Sequence, residues 1–248
     1  MESIRIIGSY LSPYVRKVLV CLELKGLAYQ LDPIVPFYGN DEFSRISPLR
    51  RIPVLITEDV TVSDSTVICE YLEQQFPLPA LLPQGAADRA RARWLEEFAD
   101  SRLGEVLIWG LYNQVAIRRA VWNEAPDADL LKKIHEQDIP HVLDYLEQQV
   151  PTDGWFFPEI GIADISLATF FRNAEFARFR IDAQKWPLTA AFVARVLAHW
   201  SFVRLHAFED LIFRVPPAGQ REVLIAAGAP IHPETLGVGS PRRGILKI

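Results

Sequence analysis

Ser9, Tyr10 and Ser12 place three hydroxyls just ahead of a proline near the start of the chain, within Gly8-Ser9-Tyr10-Leu11-Ser12-Pro13-Tyr14-Val15-Arg16-Lys17-Val18. Ser12-Pro13 has the pattern of a helix start. Serine is a favoured N-cap, and proline suits the first helical position because its φ is already fixed and its missing N–H leaves nothing unpaired. A serine hydroxyl there can accept from the helix's own N–H groups, or it can donate to an anion held over the helix N-terminus. The first role is folding and the second is chemistry. The turn by itself leaves both open.

Other chemistry-bearing residues are sparse. Cys21 lies nine residues beyond Ser12, about 13 Å along a helix, and no Cys-x-x-Cys occurs, which argues against dithiol redox catalysis. Cys21 and Cys69 each sit among apolar residues and read as reduced core thiols. His135 and His141 are six apart and His199 and His206 seven apart. Neither pair has the i, i+4 spacing that suits a metal, so these histidines read as surface groups and no metal site is expected. Trp109 and Tyr112, with Ile108 and Ala116, form an apolar stripe that fits either a ligand pocket or helix packing. Phe37 and Tyr38 carry the same two readings.

The elements that must hold the serine turn follow from spacing. Ile4-Arg5-Ile6-Ile7 reads as a strand, and Val15, Val18, Leu19 and Leu22 fall at helical intervals after it. Residues 28–35 read as a second strand, parallel to the first because a short strand-helix-strand unit imposes that. A loop with one helical turn spans 37–46. Residues 51–57 and 60–62 read as a hairpin around Glu58-Asp59, with Pro53 at a strand start. Ser63-Asp64-Ser65-Thr66 then caps a helix carrying Val67, Ile68, Tyr71, Leu72 and Phe76. The order is βαβ followed by ββα.

Pro and Gly punctuate 76–85, and beyond them strand patterns vanish. A long helix opens at Asp88 and runs towards Val121. A second runs from Asp127 to about Val150, kinked at Pro140. A third starts at Gly161, where Asp164 can reach back to the Gly161 N–H as half of a capping box. More helix follows Trp186-Pro187 to about Phe213. Three regions result: an α/β domain over 1–80, an all-helical domain over 88–213 and a C-terminal extension over 214–248. The extension is too apolar to stay in water: residues 220–227 read as a short helix, and the tail is expected to fold back as a lid over a pocket or as a brace between domains.

The 248 residues are half hydrophobic and carry a formal charge of −5. That balance argues against nucleic acid as a partner. No run approaches the roughly 18 apolar residues of a membrane span, and the first residues lack a signal-peptide layout. A cytoplasmic protein without membrane attachment is expected.

The opening Ser-x-x-Ser-Pro-Tyr-Val-Arg-Lys-Val, the segment Ser47-Pro48-Leu49-Arg50-Arg51-Ile52-Pro53-Val54-Leu55, and Asp64-Ser65 before a helix resemble, in order and spacing, the thioredoxin-like domain of cytosolic glutathione transferases. The likeness covers about 80 residues and is nearest to the bacterial-type serine class. It implies that Pro53 is cis, that Ile52 offers its backbone to the cysteinyl part of glutathione, and that Asp64 and Ser65 hold the γ-glutamyl end. Arg51 would meet the glycine carboxylate. Family members often carry Gly-Lys where Arg50-Arg51 stands, so Arg50 is a departure. The implied chemistry is ionisation of the glutathione thiol as co-substrate by Ser12, with Ser9 and then Tyr10 as alternatives, and attack on a small hydrophobic electrophile lined by Trp109 and Tyr112. Isomerase, peroxidase and dehalogenase reactions use the same machinery. A non-catalytic binding or regulatory role is the alternative from another class. The resemblance also implies a homodimer, with Glu70 and Glu73 facing Arg89, Arg91 and Arg93 across the interface.

Overall fold

The computed structural model describes residues 4–243; the ends of the expected first domain and of the expected extension, 1–3 and 244–248, lie outside the described residues. The chain divides into two compact units, 1–79 with 203–248, and 80–202. The first unit is therefore discontinuous. In this grouping residues 203–213 and the extension go with the α/β unit, and the tail's hydrogen bonds run to that unit's strands and loops.

In the first unit, β1 (Ile4–Ile7), α1 (Pro13–Leu24), β2 (Tyr29–Asp32), β3 (Val54–Ile56), β4 (Thr61–Ser63) and α3 (Ser65–Gln75) follow the βαβ-ββα order, with α2 (Asp41–Ile46) between β2 and β3. The sheet order is β2-β1-β3-β4. β1 is parallel to β2 and antiparallel to β3, and β3 is antiparallel to β4. β2 is shorter than its apolar run because Pro33 has no N–H to give a ladder, and the Ile34 N–H turns back to the Asp32 carbonyl at 2.9 Å. The Thr57 hydroxyl closes the hairpin by accepting from the Asp59 and Val60 N–H groups. Cys21 and Cys69 are buried thiols, not a disulfide, and the Cys69 Sγ donates to the Cys21 Sγ at 3.7 Å between α1 and α3.

The tail does fold back, along the edge of β2. After α11 (Gln220–Ala226), Ile231 pairs in parallel with Leu31. The Leu31 N–H donates to the Pro230 carbonyl at 2.7 Å, and the His232 N–H donates to the Leu31 carbonyl at 2.9 Å. Asp32 is fully buried and holds the strap, accepting from Arg221 at 3.3 Å and from the Leu236 N–H at 2.8 Å. An edge strand that offers unpaired backbone groups is thereby covered. These bonds make the tail a cover for an edge, a role that neither a lid nor a brace anticipated.

The second unit is helical. α4 (Ala86–Phe98) runs on through a π-helical stretch (Ala99–Ile117) into α5 (Arg118–Trp122). α6 (Ala128–Lys133), capped by Asp127, passes through a short π turn (Ile134–Asp138) into α7 (Ile139–Glu147). The widened turn sits where Pro140 cannot supply an N–H, so it takes the place of the expected kink. α8 (Ile162–Phe176) and α9 (Pro187–Leu197) follow. α10 (Trp200–Ile212) starts in this unit, and its residues from Val203 onward belong to the first.

At the start of α8 the Asp164 carboxylate accepts from the Gly161 N–H and the Phe156 N–H, each at 3.0 Å. Glycine stands at this N-cap for a steric reason. A β carbon there would lie 2.7 Å from the Leu81 carbonyl oxygen, which already accepts from the Ile162 N–H at 2.9 Å. Gly161→Ser therefore overpacks instead of improving the cap, and should cost about 1–3 kcal/mol in urea unfolding. A more stable variant would contradict this.

Burial pushes the Asp164 carboxyl up to about 6 from 3.8, against the pull of its N–H donors. Between those values the native state holds a proton that the unfolded chain has released. This group's contribution to stability is thus complete below the unfolded value and is lost as pH rises through the folded one. Denaturation midpoints compared between wild type and Asp164→Asn should show that falling slope in the wild type only.

Candidate functional site

Ile7 pairs with Val54, and Val54 pairs with Ser63. Continuing past Ile7 and Ser63, and backing up from Val54, the chain leads into three segments at one end of the sheet: the serine turn, Arg51-Ile52-Pro53, and Asp64-Ser65. The Ile52–Pro53 peptide is cis. Gly8, at φ 156°, has no room for a side chain against the first turn of α1. A β carbon on it would lie 2.4 Å from Val15 Cγ2 and 3.4 Å from Ile52 Cβ.

The three hydroxyls separate by environment. Tyr10 is fully buried, its ring centroid 5.2 Å from that of Phe208, and desolvation pushes its phenol far above the ordinary value, against the pull of Tyr29. It is a core residue. Ser9 is nearly buried, and its hydroxyl accepts from the Leu11 N–H at 3.2 Å. Ser12 is half-buried and is the N-cap of α1, accepting from the Val15 N–H at a long 3.4 Å. A loose acceptor contact of this kind leaves the hydroxyl proton able to turn outward to an anion.

One turn into α1, Arg16 donates from Nε to Glu209 of α10 at 2.6 Å, with both side chains fully buried. Arg204 of α10 pairs with Glu23 at 2.8 Å. These contacts and the Tyr10–Phe208 ring pair align α10 with the helix whose N-terminus carries Ser12. Next on α1, the buried Lys17 ammonium donates to the Thr66 hydroxyl of α3 at 3.2 Å. The two helix starts are thus tied to each other.

Asp64 caps α3, accepting from the Thr66 N–H at 2.9 Å and the Val67 N–H at 3.3 Å. It does so at φ 86°, a backbone region that non-glycine residues rarely occupy and that costs about 1–3 kcal/mol. Its carboxylate is exposed, with Ser65 nearly buried at the first helical position. Together they present a negative group suited to an ammonium and a helix N-terminus suited to a carboxylate. Arg51 is exposed, and among the described residues its guanidinium has no ion-pair partner. Its backbone is pinned by the Ser47 hydroxyl, which accepts from the Arg51 N–H at 3.0 Å and donates to the Arg51 carbonyl at 2.8 Å.

Of the residues singled out from sequence, Ser12, Arg51, Ile52, Pro53, Asp64 and Ser65 stand together at the end of the sheet. Trp109 and Tyr112 lie in the other unit, on the π-helical stretch, Trp109 half-buried and Tyr112 buried. The charge pairing imagined across a dimer needs correction. Glu73 is nearly buried and bound to Lys25 of its own chain at 2.8 Å, and Arg93 is bound to Glu96 at 2.6 Å. Glu209, Asp32 and the side chain of Arg50 were missed. Each acts on a segment far along the chain or is a charged group that composition alone assigns to the surface.

Residues 6–80 match the family described as glutathione S-transferase, N-terminal domain. The chain is 28% identical over 205 residues to an uncharacterized GST-like protein, YibF, of Escherichia coli K12, covering 81% of this chain and 96% of that one. It is 28% identical over 198 residues to maleylacetoacetate isomerase of Rattus norvegicus, covering 77% and 86%. A glutathione S-transferase from Rhodospirillum rubrum F11 superposes with a TM-score of 0.77 at 27% identity, over 89% of this chain and 99% of that one. The family match is thus confined to residues 6–80, and the longer likenesses are to proteins described as glutathione transferase-like or as an isomerase.

Glu209 is the buried carboxylate to which the buried Arg16 Nε donates, and removing one member of such a pair is costly. Glu209→Ala should therefore cost about 3–5 kcal/mol in urea unfolding. A loss under 1 kcal/mol would mean that the pair is not buried in solution.

Proposed function

We propose that the protein is a serine-class glutathione transferase that adds the thiolate of glutathione to small hydrophobic electrophiles, a detoxifying reaction, acting as a homodimer in the cytoplasm. The observation that carries this reading is the convergence of Ser12, the cis Ile52–Pro53 peptide and Asp64-Ser65 at one end of the sheet. A peptide-like ligand laid beside Ile52 finds a backbone to pair with, the unpaired Arg51 cation for one carboxylate, and the start of α3 for the other. Its thiol then falls to the Ser12 hydroxyl at the N-terminus of α1.

The chemistry required is ionisation. A free thiol of pKa about 8.5 is only a few per cent thiolate at neutral pH, and the thiolate is the nucleophile. A charge-assisted hydrogen bond from Ser12, worth roughly 1.5–3 kcal/mol, and the helix N-terminus, roughly 0.3–1, lower that pKa by about 1.5–3 units. The thiolate attacks the electrophilic carbon of a substrate, and substitution or addition follows.

The likeness to maleylacetoacetate isomerase favours a second reading, in which the same thiolate adds to an unsaturated acid, allows rotation about the bond and leaves again. A non-catalytic role drew its support from Arg50. That support is weakened, because Arg50 adopts φ 50°, the left-handed backbone that glycine favours, and leaves Arg51 presented.

Titration with glutathione, followed by ultraviolet thiolate absorbance at neutral pH, tests the reading. Ser12→Ala should raise the bound thiol's pKa by one or more units and weaken glutathione binding only slightly. A folding loss of about 0.5–2 kcal/mol with no change in the thiol would leave Ser12 as a cap alone.

A further inference from the structure

Arg50 is a long cation at a position of positive φ, and its side chain is 2% exposed. No carboxylate is hydrogen-bonded to it among the bonds described, and Asp41 acts on it only through space. Its guanidinium instead donates to the carbonyls of Pro36 and Gly39, each at 2.9 Å, and to the Ser44 hydroxyl, while lying 5.4 Å from the centre of the Phe43 ring. Burying a cation is costly unless it is fully hydrogen-bonded, so the arrangement holds only while the segment from Pro36 to Ser44 keeps its shape.

The tail grips the same segment from its other side. The Asn40 N–H donates to the Leu236 carbonyl at 2.8 Å, the Val238 N–H to the Tyr38 carbonyl at 2.7 Å, and the Arg242 N–H to the Phe37 carbonyl at 2.9 Å. The Arg242 guanidinium pairs with Asp41. Leu236 also enters the apolar cluster of Ile7, Ile34, Phe43 and Val54, on which Ile52 rests. The held segment therefore supports Ile52 from below, while Arg50 is the neighbour of Arg51 in the turn that Ser47 closes.

We propose that Arg50 and the strap formed by residues 236–242 are a two-sided clamp that orders segment 36–46 before ligand arrives, making Arg50 a positioning residue for the glutathione site. The inference rests on the glutathione reading above. Its consequence is for affinity: a wall already ordered removes the entropy that binding must otherwise supply. The bound thiol's ionisation, which depends on Ser12, lies outside the clamp's reach.

The test uses the full chain, hydrogen exchange and glutathione titration. Arg50→Gly removes the guanidinium and leaves the residue that this backbone conformation favours; Arg242→Ala removes the strap's ion pair with Asp41 and is a second variant should the first fail to fold. In the wild type, the Asn40 amide should be protected equally with and without glutathione. In each variant it should exchange faster while β1 and β3 stay protected, glutathione should restore it, and affinity should fall by about tenfold. The thiol pKa of the bound ligand should not move. Wild-type protein that binds no glutathione defeats the functional reading itself. Wild-type protein that binds it, with variants of equal affinity or a wild-type segment that becomes protected only on binding, overturns the clamp.

Discussion

The candidate site depends on a register. β3 and β4 are three residues long and β1 four, and the row Ile7, Val54, Ser63 is what aligns the three segments that meet at the sheet end. A slip of one residue in such short strands would invert their faces, exposing Val54 and carrying Asp64 out of line with Ser12. Short ladders supply few hydrogen bonds to prevent that. The register is instead enforced by what packs on it: Ile7 and Val54 share one cluster with Ile34, Phe43 and Leu236.

Charge supplies a second kind of constraint. Arg16 with Glu209, Asp32 with Arg5 and Arg221, and Lys25 with Glu73 are buried or nearly buried pairs within the first unit. Such pairs contribute little net stability once desolvation is counted, but each tolerates few alternative arrangements because a displaced partner leaves an unpaired charge. They act as registration marks between segments that hydrophobic packing alone would hold less specifically. Lys25 also donates to the carbonyls of Phe76 and Pro79, at 2.7 and 2.9 Å, fixing where α3 ends.

The βαβ-ββα order, the cap at Ser12 and the helix start at Asp127 were legible because each is encoded locally, by apolar period or by a polar residue beside a helix. The site was legible as a set because its motifs keep their spacing along the chain. Three features were not. The reason for glycine at position 161 lies in the carbonyl of Leu81, far away in sequence. Tyr10 looks like an available phenol until Phe208 is seen against it. Arg50 looks like a surface cation because nothing near it announces the carbonyls that receive it. In each case the deciding partner is brought in by tertiary structure, which neither periodicity nor propensity can report.

The strap on β2 also bears on the order in which the molecule can be built. Leu31 and Pro230, and Asp32 and Leu236, are about two hundred positions apart, while the helical unit between them is one unbroken stretch, 80–202. During synthesis the sheet emerges before the strap, and the strap cannot cover its outer edge until residues 230–242 have left the ribosome. The helical unit, whose contacts close within itself, can complete earlier. The amino-terminal strands must therefore wait with an open edge through most of translation, when unpaired backbone invites association with neighbouring chains. Closing so long a loop adds only a slowly growing entropy cost, so the delay is set by elongation more than by the search.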